Sequence, residues 1–204
     1  MTLAGGEQLR AGAVVCALPA GPLRHVAISG VSDARLTSLY RQRQALAAKL
    51  VAAYPAPVWR ACGANGLADG EGLITSTGPQ GNDALSMLIA PERLAHFLAA
   101  PLERRRAEVL DTLARLYGEP ARTSVALLER AWGVDAFTQG YVSQWAPGDL
   151  TAVGPLHGTH EPPSYVCGSH HWVAGSMEGA VRTGRAAAAA ALGSSRTPGA
   201  AASG

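Results

Sequence analysis

Residues Tyr165 to Ala191 read YVCGSHHWVAGSMEGAVRTGRAAAAAA. Tyr165-Val166-Cys167 is a short apolar strand, and Gly168 turns the chain. After a loop, a helix opens at Gly175-Ser176-Met177-Glu178-Gly179-Ala180 and ends in an alanine run. Backbone N–H groups at a helix start are unpaired and carry partial positive charge. They suit an anion, or a carbonyl that gains electron density. Gly175, Gly179, Ala180 and Gly184 are small enough for a ring or another backbone to come close. Two readings fit: a helix start that faces a ligand, or an Ala/Gly helix packed tightly without one.

The surrounding 204 residues suffice for one large domain or for parts of two. Hydrophobic residues at 48% and charged residues at 16% support a core and argue against bulk disorder. A net charge of +2 is too small to argue for nucleic acid or an anionic membrane as partner. Arg104-Arg105-Arg106 lies beside Glu103 and Glu108, which reads as a solvated helix face. Cys16, Cys62 and Cys167 are widely spaced, without a CxxC, and suggest reduced thiols. The start MTLAGGEQLR has no apolar signal-peptide core. The apolar stretch Ala11 to Ala20 contains Pro19 and is too short to span a bilayer. A soluble cytoplasmic protein is expected.

Leu3 to Leu9 forms a hairpin around Gly5-Gly6, and Ala13 to Leu18 has the pattern of a strand buried on both faces. Residues 33–46 have helical spacing with Asp33 as cap. Lys49 to Val58 and Ala84 to Ala90 read as strands, with hairpin loops over 60–82. Pro91 opens a helical region that Pro101 breaks. The second helix sets Leu102, Val109, Leu110, Leu113 and Leu116 on one stripe. Val125 to Trp132 is a strand, and 133–165 is irregular, as functional segments often are. The last helix covers 176–192, with Arg182 and Arg185 exposed, before a disordered tail over 193–204. His157, His160, His170 and His171 lack the spacing or Cys partners of zinc sites, so no metal is expected.

Four segments in order resemble the flavin-containing amine oxidase family, which includes monoamine, polyamine and L-amino acid oxidases. The first is Val14-Val15-Cys16-Ala17-Leu18-Pro19 with Leu23, and the second is Lys49 followed ten residues later by Trp59. The third is Trp132, Gly140-Tyr141 and Pro147-Gly148. The fourth is Gly168-Ser169-His170, then Gly175 to Ala180, then Thr183-Gly184-Arg185-Ala186-Ala187. Together they span far more chain than one motif can claim.

The resemblance implies an α/β fold mixed with α+β: the C-terminal part of a FAD-binding fold plus most of a sheet-and-helix substrate domain. Residues 1–35 and 140–194 are expected in the FAD-binding domain, 36–139 in the substrate domain, and 195–204 in the tail. Lys49 matches the lysine that holds a water against flavin N5. Tyr141 matches one wall of an aromatic cage that orients the amine over the ring. Ser176 stands where the second wall belongs, which a serine cannot supply, and His171 and Trp172 are substitutes. Trp132 matches a tryptophan near the flavin. Gly140 stands where covalently flavinylated members carry cysteine, so FAD is expected to be non-covalent. Gly168, Ser169 and His170 match the turn along the cofactor, with His170 replacing a glutamate. Gly175, Ser176 and Met177 match the helix start at the flavin C2=O edge. The Gly168–Ser176 loop is about two residues shorter than in monoamine oxidases.

Family members begin with a βαβ unit bearing Gly-x-Gly-x-x-Gly. Gly70-Glu71-Gly72-Leu73-Ile74-Thr75 approaches it but lacks the third glycine and a following acid. Three accounts stay open. A partner chain supplies the dinucleotide-binding half of a split oxidase for an amine or amino acid, with O2 as acceptor. Alternatively, the chain is a non-catalytic interaction subunit, or a fragment of a longer oxidase.

Overall fold

The computed structural model describes residues 1–69, 72–172 and 175–195. Gly70-Glu71 of the glycine-rich segment, part of the loop before Gly175, and the tail from 196 lie outside the described residues. The first elements are β1 (Val14–Cys16), α1 (Ala20–Leu23), α2 (Asp33–Arg41), β2 (Arg43–Ala45), β3 (Ala48–Ala53) and α3 (Val58–Ala61). They are followed by β4 (Ala68–Asp69), β5 (Ile74–Gln80), β6 (Ala84–Ile89), α4 (Pro91–Ala99), α5 (Leu102–Tyr117) and β7 (Ala126–Ala131). The last are β8 (Val142–Gln144), α6 (Asp149–Val153), β9 (Ser164–Val166) and α7 (Met177–Ser195). No described helix is long and apolar enough to cross a membrane. The chain divides into two compact units, one of Met1–Gln44 with residues from Val142 onward, the other Ala45–Tyr141.

In the first unit, β1 and β9 pair in parallel, with Val15 opposite Tyr165 and Cys16 opposite Val166. Tyr165 and Cys167 bury against Ala187 of α7, while Val166 packs with Leu23 and Leu39 on the opposite face. β1 does not have the two-sided burial that its apolar run predicts, since Val14 is 39% exposed and Val15 47%. Parallel strands bury both faces only when layers cover both, and a two-stranded sheet supplies no such cover. The N-terminal hairpin forms, with Thr2 bridging Gln8.

Helix α2 is capped by Ser32, whose Oγ accepts the Arg35 N–H at 3.1 Å, rather than by Asp33. Asp33 sits in the first turn, where its charge is favoured. The helix ends at Arg41 because Gln42 is extended, and the strand β2 replaces the expected continuation to 46. The boundary between the two compact units falls after Gln44, beyond the end of α2.

The second unit is an antiparallel sheet in the order β4-β5-β6-β3-β7, with α4 and α5 over one face. Along β3, Ala48, Leu50 and Ala52 are buried while Lys49, Val51 and Ala53 face the other way, the period-two signature of a strand. Leu50, Leu85, Met87 and Ile89 meet Phe97, Val109, Leu113 and Tyr117 in the core. Each such fully buried apolar side chain contributes roughly 1.5–3 kcal/mol. β3 stops at Ala53, short of the expected Val58, because Pro55 and Pro57 cannot donate to a ladder. Trp59 then enters the core from the short helix α3.

Residues 60–82 are not all loop. β5 holds seven of them, and its Gly78 and Pro79 masked the strand. On α5 the inner stripe is centred on Val109, Leu113 and Tyr117, so Leu102 and Leu116, at 43% and 40% exposed, lie on its margin. The segment 133–165 also carries more order than its composition suggests, namely β8 and α6.

Candidate functional site

The turn after β9 is fastened to α7 through Thr183. Its Oγ1 accepts the Gly168 N–H at 2.9 Å and donates to the Gly179 carbonyl at 2.8 Å. Gly168 has φ +129°, and a Cβ there would lie 2.6 Å from the His170 ring. Only glycine fits this position. Ser169 begins the tight turn that carries both histidines inward. His170 and His171 are 6% and 3% exposed, with ring centroids 4.3 Å apart.

Burial, then the neighbouring His157, pushes His170 down to about 4, partly offset by a bond to the Leu18 backbone. Burial, then His170, pushes His171 down to about 2. Both rings are neutral at neutral pH, so His170 offers a phosphate no cation. His171 Nδ1 lies 3.3 Å from the amide of the fully buried Gln42. His157 and His160 are also held low by burial, with a smaller contribution from the Arg35 guanidinium. A cavity of about 160 Å³ lies beside this cluster, lined by His157, His160, His171, Trp172, Arg182 and Ala186 among others. No group of three or more His, Cys, Asp or Glu that would hold a metal ion occurs among the described residues.

At the start of α7, Ser176 Oγ accepts the Gly179 N–H at 3.2 Å. Ser176, expected at the position of the second cage wall, thus serves as a helix cap. Gly175, Ser176 and Met177 are exposed, Met177 at 88%. A Cβ on Gly175 would lie 3.1 Å from Ser143, and one on Gly179 2.8 Å from Trp172. Trp172 is half-buried along the side of α7, with the Arg182 guanidinium 5.7 Å from its ring centroid. Of the two residues expected to substitute for the second cage wall, His171 is 3% exposed and Trp172 lies against Gly179 and Arg182, and both border the cavity.

The other expected residues sit in the second unit. Lys49 is half-buried on the sheet face away from the core, in register between Leu88 of β6 and Arg130 of β7. Among the described residues its ammonium makes no hydrogen bond or ion pair. Trp132 follows β7, with the Arg130 guanidinium 5.1 Å from its ring centroid. The Gly140 N–H donates to the Trp132 carbonyl at 3.1 Å, and the Tyr141 N–H donates to the Ala45 carbonyl at 2.8 Å. These bonds close the 132–140 loop and leave Tyr141 37% exposed.

A family model described as flavin containing amine oxidoreductase matches residues 1–192. The chain belongs to this family. It is 32% identical over 199 residues to AofH of Mycobacterium tuberculosis, named as a flavin-containing monoamine oxidase, covering 89% of this chain and 42% of that one. It is 30% identical to the putrescine oxidase of Kocuria rosea, covering 81% and 37%. The structure of cyclohexylamine oxidase from Brevibacterium oxydans superposes with a TM-score of 0.81 at 24% identity, covering 95% of this chain and 46% of that one. The fold is therefore a mixed α/β part of the amine oxidase architecture, and the chain spans less than half the length of these relatives.

The donors at the start of α7 are of the kind that the ring end of a flavin would need. The exposed α7 start offers backbone N–H groups that suit a carbonyl edge gaining charge, and Gly175 lets the chain pass close to Ser143. Thr183, Gln42 and Arg130 were not singled out by sequence reasoning. The partners of Gln42 and Arg130 depend on strand register or on chain distant in sequence, whereas Thr183 stood inside a quoted motif.

Proposed function

We propose that this chain is the flavin-ring part of a FAD-dependent amine or L-amino acid oxidase, completed by a second chain that carries the dinucleotide-binding part. The observation that carries this reading is the exposed start of α7, capped by Ser176, in a chain of the flavin-containing amine oxidase family. The uncovered β1–β9 pair supports a missing layer: Val14, Val15 and Leu18 leave an apolar surface of the kind partners cover. FAD, when bound without a covalent link, supplies the electron acceptor for oxidising a C–N bond to an imine and passes the electrons to O2.

This chain's residues have separate tasks. The α7 start, at Ser176 and Met177, stabilises charge on the ring's carbonyl edge. Lys49 holds a water, and Tyr141 orients the substrate amine. Trp132 and Gly140 shape the ring's surroundings, and Gly168, Ser169 and His170 border the cofactor chain as neutral groups.

Co-expression with the neighbouring reading frame tests the reading. A yellow complex absorbing near ~450 nm, roughly the flavin band, is the expected result. A colourless monomeric product that never takes up FAD overturns it. A second reading, a non-catalytic interaction subunit, is favoured by the use of Ser176 as a cap. Under that reading Tyr141→Ala leaves turnover of the complex unchanged.

A further inference from the structure

The cavity of about 160 Å³ in the first unit is walled by Val166, Trp172 and Ala186, with His157, His160 and His171 as its polar lining. An apolar cavity of about 150 Å³ is large enough for benzene. Small-molecule sites share this make-up of apolar walls with a few polar groups at fixed places. The His157 ring is held between Trp145 and His171, at centroid distances of 5.9 and 6.5 Å. Both of its nitrogens are buried without a hydrogen-bond partner, and so is Nε2 of His160. Buried polar atoms nearly always have partners, and leaving them unpaired costs stability.

The unpaired atoms define what would fit. His160 Nδ1 accepts the Val166 N–H at 3.4 Å, so in the neutral ring Nε2 carries the proton and is a donor. Burial, then the Arg35 guanidinium, holds His157 low, so its ring is neutral too and one of its nitrogens is an acceptor. No Asp or Glu lines the cavity among the described residues. Arg182 at its border is already paired with Glu178 at 2.6 Å and lies over the Trp172 ring. A carboxylate would meet no free cation there and could not donate to the acceptor nitrogen. A wholly apolar guest would leave both histidines unpaired. A carboxamide serves both, because its carbonyl accepts and its N–H donates.

We propose that this cavity binds a small uncharged aromatic carboxamide. The His160 Nε2–H donates to the carbonyl oxygen, and the amide N–H donates to the unprotonated nitrogen of His157. The ring of the ligand lies among Val166, Trp172 and Ala186. Ala186 is ten residues along α7 from Ser176, a rise of about 15 Å, so the site is separate from the helix start assigned to the flavin ring. It is built from this chain alone and requires neither flavin nor a second chain.

Benzamide, benzoate and toluene are titrated into the purified chain at pH 7.5 by calorimetry, with the histidine C2–H resonances followed by NMR. Benzamide is expected to bind with Kd at or below about 1 mM, at least about tenfold tighter than the other two, and to shift the His157 and His160 resonances. His157→Phe weakens binding at least about tenfold, and His157→Gln, which keeps a donor and an acceptor, restores it to within about threefold. Ala186→Leu fills the cavity from an exposed position of α7 and abolishes binding, which keeps the test decisive if a His157 variant fails to fold. Absence of binding, which leaves ordered water as the content of the cavity, overturns the proposal. So do benzoate or toluene matching benzamide, binding indifferent to His157 and Ala186, or equal weakening by His157→Phe and His157→Gln. Displacement of benzamide by FAD also overturns it, because the cavity would then belong to the cofactor. Failure to form a yellow complex strikes the oxidase reading alone, because the titration needs no flavin.

Discussion

His170 and His171, adjacent in sequence, hold their rings 4.3 Å apart in the interior of the first unit, and both are neutral there. In the unfolded chain each titrates near 6.5, above its folded value. Below pH 6.5 the unfolded state therefore binds more protons than the folded one, and stability falls as pH falls. By pH 5 each ring costs about 2 kcal/mol relative to neutral pH. Urea midpoints at pH 7.5 and pH 5 check this, and a flat profile between them contradicts it. Glu161, held low by its bonds to Ser32, adds loss only at more acidic pH.

Thr183 ties the turn after β9 to α7, so Thr183→Val leaves the Gly168 N–H without its partner. The expected cost is about 1–3 kcal/mol, the penalty for an unsatisfied donor. Thr183→Ser should recover most of it. Denaturant unfolding of the three proteins measures the series.

Two glycines of α7 should respond in opposite directions. Gly179→Ala forces a Cβ to within 2.8 Å of Trp172, whereas Gly184→Ala meets nothing within 4 Å. The first is expected to destabilise by about 1–3 kcal/mol, and the second to stabilise by roughly 0.5–1 kcal/mol through helix propensity. Thermal melts decide the matter, and a stabilised Gly179→Ala shows that Trp172 is not held where the structure places it.

Lys49→Met removes the unpaired ammonium from the open face of the sheet. Stopped-flow absorbance of the assembled complex should show severe slowing of flavin reduction or re-oxidation. Near-normal turnover refutes the role given to Lys49.

Much of this was legible in the linear chain. The strand, glycine turn and helix around Gly168 and Met177 appear in the structure because their signals are local: apolar runs, glycine and helical spacing. Proline positions marked α4 and α5 for the same reason. β5 was hidden because Gly78 and Pro79 read as loop, while pairing with β6 overrides their low propensity. The cap at Ser32 rather than Asp33 was a choice between adjacent residues that only backbone geometry makes.

The sequence by itself determined the family and the strand, glycine turn and helix around Gly168 and Met177, since those are encoded in motifs of neighbouring residues. Tertiary structure decided the neutral state of His170 and His171, the use of Ser176 as a cap and the pairing of Lys49 with Arg130. The reason is physical: burial is the sum of everything packed around a side chain. Likewise, a strand register that sets position 49 across from position 130 exists only once the sheet has formed.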